Sequence, residues 1–98
     1  MNIKLVRMVT GEDVLTELKD NETHYTFTNP LMIFMQPSAS GNMPTVGMHQ
    51  WIPYSSDKKY DVPREKVVMI CNPAEDLRAQ YDKAFGSGLI IPKTLLTT

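Results

Sequence analysis

Apolar and polar positions alternate along much of the chain, and turn residues break the alternation every eight to fifteen positions. Ile3, Leu5 and Val9 alternate with Lys4 and Thr10, which predicts a strand over 2–10. Thr10-Gly11-Glu12-Asp13 reads as a tight turn, and a second strand follows over 13–19. The polar run Lys19-Asp20-Asn21-Glu22 marks the next reversal. Tyr25 and Phe27 then alternate with Thr26 and Thr28 in a third strand over 24–35. Asn29-Pro30 interrupts that strand. A proline offers no N–H to a ladder, so this point is an edge, a bulge or a bend. The apolar run 31–35 beyond it reads as buried on both faces.

The stretch 36–44 is rich in proline and serine and reads as a loop. A fourth strand covers 45–52, with Trp51 near its end, and 53–63 reads as a second loop carrying Lys58 and Lys59. A nearly all-apolar fifth strand covers 65–71. A helix is predicted over 73–85. Asn72 is placed to cap it, Pro73 suits the first helical position, and Glu75 completes a capping box. Glu75 and Asp76 face the positive end of the helix dipole. Leu77, Tyr81, Ala84 and Phe85 form one apolar stripe, and Gly86 ends the helix. In the tail, 86–98, Leu89-Ile90-Ile91 is a further short strand candidate. The expectation is a single domain over 1–98, mostly β. It is a small, strongly bent, five-stranded antiparallel barrel of SH3-like type with one C-terminal α-helix.

Length and charge narrow the function. A chain of 98 residues supports one modest core, and oligomerisation is a common remedy for a thin one. Ten basic residues oppose eleven acidic ones for a net charge of −1, which is not the balance of a protein that coats nucleic acid through charge alone. Cys71 is the only cysteine, so no internal disulfide can form and a cytoplasmic, reducing location is expected. Lys4 and Arg7 interrupt the N-terminal apolar positions, so that end does not read as a signal peptide. The longest apolar runs, 31–35 and 67–71, fall far short of the roughly 20 residues needed to span a bilayer, and no membrane partner is expected.

The segment 6–18 resembles the first strand pair of the Sm-like ring proteins: an alternating strand, a turn glycine at Gly11, and apolar Val14 and Leu18. The segment 62–73 resembles that family's second motif, with Arg64 on its turn arginine and a β-branched strand closing before Pro73. Asn29, ahead of Leu31-Met32-Ile33, is similar to the asparagine preceding the third strand's apolar run. The chain departs from the pattern at Thr16, which replaces a strand glycine, and at Glu65, which replaces the glycine of the Arg-Gly turn. The turn between the second and third strands also reads as longer than usual, and the helix follows the sheet instead of preceding it. The overall likeness is to a divergent member, similar to small Sm-like proteins encoded by bacteria and their phages. The resemblance implies a non-enzymatic, closed homo-oligomeric ring of about five to seven copies. In it the fourth strand of one copy pairs with the fifth of the next. It also implies single-stranded RNA bound near the pore, with Asn29, Arg64, Tyr25 and Lys66 as the contacting residues. The alternative is a structural or assembly ring making protein contacts without RNA.

Each candidate has a plainer reading. Arg64 also fits a solvated turn residue paired with an acid, and Asn29 a turn residue before proline. Tyr25, Phe27 and Trp51 also fit core or interface packing. His24, His49 and Cys71 are scattered, without the paired spacing of a metal site, so no metal and no cofactor are expected. Cys71 ends an apolar strand, where a buried, inert thiol is expected. Lys58 and Lys59 fit a solvated loop, and no catalytic motif is present.

Overall fold

The computed structural model describes residues 2–38 and 43–86. Its strands are β1 (Ile3–Met8), β2 (Asp13–Asp20), β3 (His24–Gln36), β4 (Thr45–Gln50), β5 (Lys59–Pro63) and β6 (Val67–Cys71). A 3-10 turn, Arg64–Lys66, separates β5 from β6. Helix α1 (Glu75–Tyr81) follows and continues into a π-helical turn, Asp82–Gly86. The protein is therefore mostly β, with one antiparallel sheet and one C-terminal helix. The sheet order is β4-β3-β2-β1-β6, and β5 pairs with the first half of β3.

The first hairpin forms as its turn predicts. Gly11 sits at φ +98°, a conformation that glycine adopts without penalty, and its amide donates to the Met8 carbonyl at 2.8 Å. The second reversal is short: the Asn21 amide donates to the His24 carbonyl at 2.9 Å, and Glu22 takes φ +70°. The longer turn expected there is thus not found.

The bend lies at Asn29-Pro30. Leu15 pairs with Leu31 and Glu17 with Thr28, so two residues of β3 oppose Thr16 alone. Asn29 takes φ +50° in this bulge. There β3 changes partner on its other side, from β5 along His24–Thr28 to β4 along Leu31–Gln36. Thr16 is fully buried and donates its hydroxyl proton toward the Thr28 carbonyl at 3.0 Å.

Strand periodicity puts the two halves of the core on opposite faces of the sheet. One face carries Val6, Met8, Val14, Leu18, Phe27 and Val62, with Trp51 and Tyr60 packed against them. The other carries Ile3, Leu15 and Leu31, and α1 covers it with Leu77, Tyr81 and Phe85. The stripe read from sequence therefore packs within the chain.

Several expectations need correction. A sixth strand, β5, lies inside the predicted loop 53–63. Tyr60 and Val62 point inward while Lys59 and Asp61 are exposed, an alternation hidden by its charges and by Pro63. The predicted fifth strand begins at Val67 because Arg64–Lys66 forms the 3-10 turn. The helix starts at Glu75 with Ala74 as its N-cap, and no side chain caps it. The Asn72 side chain is engaged elsewhere: its Oδ1 accepts a hydrogen bond from Lys4 Nζ at 2.5 Å. The run 31–35 is not buried on both faces: Leu31 is buried, the next three residues are half-buried and Met35 is exposed. Cys71 is exposed, because β6 is an edge strand and this residue lies at its outer end. Leu89-Ile90-Ile91 lies outside the described residues.

Candidate functional site

Two places on the surface combine aromatic rings with charge. The first is built by the β2–β3 turn and the 3-10 turn. The strand pairing His24 with Pro63 and Tyr25 with Val62 delivers Arg64 to the end of β3. Its guanidinium carbon lies 4.4 Å from the centre of the Tyr25 ring. Arg64 Nη1 also donates to Asp20 Oδ1 at 2.5 Å. Arg64, and then the Glu22 amide, hold the Asp20 carboxyl below its ordinary range. His24 Nε2 lies 3.6 Å from Asp61, which also accepts from the Thr26 hydroxyl at 3.0 Å. The Asn21 amide group donates to Thr26 at 2.7 Å.

The structure thus brings Arg64 and Tyr25 together and leaves the other two candidates apart. Asn29 sits four residues further along β3 than Tyr25, roughly 13 Å at ordinary strand rise. Its backbone is committed to the bend: its amide donates to the Lys58 carbonyl at 2.7 Å, and the Pro30 carbonyl accepts from the Trp51 amide at 3.1 Å. These two bonds clamp both ends of the 51–58 loop. Lys66 leaves the 3-10 turn toward a different cleft. Asp20, Asn21 and His24 join Arg64 at its site and were not foreseen. Asp20 is 44 positions from Arg64, and no local pattern encodes such a pairing.

The second place is an open, largely apolar cleft of about 310 Å³ lined by Met8, Val9, Trp51, Ile52, Tyr60 and Lys66, among others. Trp51 packs on Phe27 with ring centres 5.6 Å apart, and Tyr60 meets it edge-on at 6.1 Å. The indole N–H donates to Glu12 Oε2 at 3.0 Å, while the Thr10 hydroxyl donates to Oε1. Thr10 first, and Trp51 second, hold the Glu12 carboxyl below its ordinary value of 4.5. A lowered carboxyl stabilises the fold above its unfolded pKa, and that contribution is lost as pH falls through the folded one. Because Trp51 is the single tryptophan, its emission should shift on acidification below pH 4.5, and Glu12→Gln should abolish that transition. An identical acid transition in the variant would show that Glu12 does not hold the ring.

Among the described residues, no three His, Cys, Asp or Glu side chains gather as a metal site, and no helix is long and apolar enough to cross a membrane. The chain matches no protein-family model, and no curated protein stands out as a relative.

Proposed function

We propose that the chain is a non-enzymatic, cytoplasmic Sm-like ring subunit that assembles by pairing the free side of β4 in one copy with β6 in the next. One observation carries this reading. Among the described residues the sheet ends on both sides in strands with no further ladder partner, and both bear exposed apolar side chains: Val46 is 46% exposed on β4, and Val68 and Met69 are each 60% exposed on β6. Open apolar edges invite strand addition, and natural proteins rarely leave them bare. The order β4-β3-β2-β1-β6 sets the two edges at opposite sides of each copy, which suits a head-to-tail contact repeated around a circle. Val68→Lys combined with Met69→Lys should convert the assembly to monomers, as read by light scattering after size exclusion, while the circular dichroism spectrum stays unchanged. An unchanged mass would remove β6 from the interface.

The Arg64–Tyr25 contact favours a second reading, in which the ring binds single-stranded RNA. A cation over an aromatic face beside a turn is the equipment that reads an unpaired base. Against it, Asp20 already neutralises that cation. On this reading a uridine- or adenine-rich oligonucleotide binds more weakly as salt rises, and Arg64→Ala lowers affinity about tenfold or more. Indifference to Arg64→Ala leaves the protein-assembly ring as the function.

A further inference from the structure

Among the described residues, β5 has a ladder partner on one side only, the first half of β3. Two hydrogen bonds fix which of its main-chain groups face the other way. Antiparallel neighbours alternate between pairs that exchange both bonds and pairs that exchange none. The Asn29 amide donates to the Lys58 carbonyl, in the register of β3 with β5. Phe27 with Tyr60 and Tyr25 with Val62 are then bonded pairs, whereas Thr26 with Asp61 and His24 with Pro63 are not. Pro63, which has no N–H, thus falls where none is needed. On the other side of β3 the Asn21 amide donates to the His24 carbonyl, and the same alternation turns the Thr26 main chain toward Lys19 of β2. The amide and carbonyl of Asp61 therefore point out of the sheet's edge, and no turn or side chain takes them up among the described residues.

This edge borders the apolar cleft. Tyr60, Asp61, Val62 and Pro63 all line it, although successive side chains of a strand point to opposite faces, so β5 presents its edge to the cleft. The rest of the lining includes Trp51, Val9 and Ile52, the last two 56% and 40% exposed. The volume of about 310 Å³ is at the lower end for a ligand-holding cleft. An unpaired main-chain donor and acceptor beside an apolar trough are what an extended peptide satisfies, with backbone bonds for affinity and alternate side chains for specificity.

We propose that the cleft binds a short extended segment of a partner protein, added as an antiparallel strand along β5. The central residue of the segment exchanges both hydrogen bonds with Asp61. Its side chain then stands on the same face as the Asp61 carboxylate, which is 74% exposed, and that charge selects lysine or arginine. The residues on either side turn their side chains to the face of Tyr60 and Val62 and enter the cleft, which selects aliphatic or aromatic ones. The recognised pattern is therefore apolar-basic-apolar. The site lies on β5, apart from the outer edges of β4 and β6, and stands whether or not the chain forms a ring.

Trp51 lines the cleft and is the single tryptophan, so its emission reports occupancy. The full chain is titrated with capped five-residue peptides in which lysine is flanked on both sides by leucine, valine, isoleucine or phenylalanine, with serine at each end. At least one should shift the emission saturably below about 1 mM. The same peptide with an N-methyl group on its lysine cannot donate to the Asp61 carbonyl and should bind at least about tenfold more weakly. Asp61→Pro removes the outward amide, a change that an edge strand tolerates where the N–H meets no partner, and should weaken binding by a similar factor with the circular dichroism spectrum unchanged. If that variant does not fold, the methylated peptide carries the test alone. Equal binding of the methylated peptide would overturn strand addition. So would the absence of a response to every peptide, including the case in which Trp51 emission changes with protein concentration alone and a second copy fills the cleft.

Discussion

Tyr81→Ala should cost about 3–5 kcal/mol of stability, as for other large aromatic truncations in a packed core, and should leave the chain largely unfolded at moderate urea. The side chain is fully buried and packs among Ile3, Leu15 and Leu31. Its phenol also does what the bulge needs. Where β3 carries two residues opposite Thr16, the regular ladder lapses. The Tyr81 hydroxyl accepts from the Glu17 amide at 3.1 Å and donates to the Thr28 carbonyl at 2.7 Å, with the Asn29 carbonyl 3.1 Å away. Burial pushes the phenol pKa well up, so it stays protonated and able to donate throughout the usable pH range. Tyr81→Phe separates the two contributions. It keeps the ring and strands the polar groups, and it should cost about 1–3 kcal/mol. If urea unfolding shows Tyr81→Phe to be neutral, the hydroxyl does not secure the bend.

Phe27→Ala should be about as damaging on the opposite face, again about 3–5 kcal/mol. Phe27 is fully buried at the centre of the cluster formed by Val6, Val14, Leu18 and Val62. It is also the floor on which Trp51 rests, 5.6 Å between ring centres. The loss should therefore appear twice: as a lower urea midpoint, and as a red shift of Trp51 emission before the main transition. Full native stability in this variant would mean that the aromatic face contributes little to the core. A domain of this size has only about 5–15 kcal/mol in total, so either alanine variant alone removes a large share of the margin.

Much of this architecture is legible from side-chain periodicity. Ile3 and Leu5 lie on one face, Val6 and Met8 on the other, and the turn at Gly11 and the break at Asn29-Pro30 stand where the residues place them. What escapes is whatever depends on distant partners. β5 escapes because only Tyr60 and Val62 face inward, between charges that resemble a loop. Asn72 has the chemistry of a helix cap, yet β6 extends to Cys71 to pair with Leu5, the Asn72 side chain bonds Lys4 across that pairing, and the helix begins further on with Ala74 as its N-cap. Cys71 looked buried because its neighbours are apolar, but an edge strand exposes even apolar side chains. At the candidate site, the strand register explains why Arg64 reaches Tyr25, since Val62 pairs with Tyr25 and the next turn carries the arginine past it. Asn29 stands ahead of an apolar strand, as read from the sequence, and its backbone is taken up in turning that strand.

The measurement that bears most directly on the proposed assembly is the solution mass of the unmodified protein, by light scattering coupled to size exclusion at two salt concentrations. Edge-to-edge pairing predicts a single closed species of about five to seven chains, stable in salt because the contact is made by backbone ladders and apolar side chains. A monodisperse monomer of 11.1 kDa at both salts would contradict the ring and leave the exposed edges of β4 and β6 without a partner.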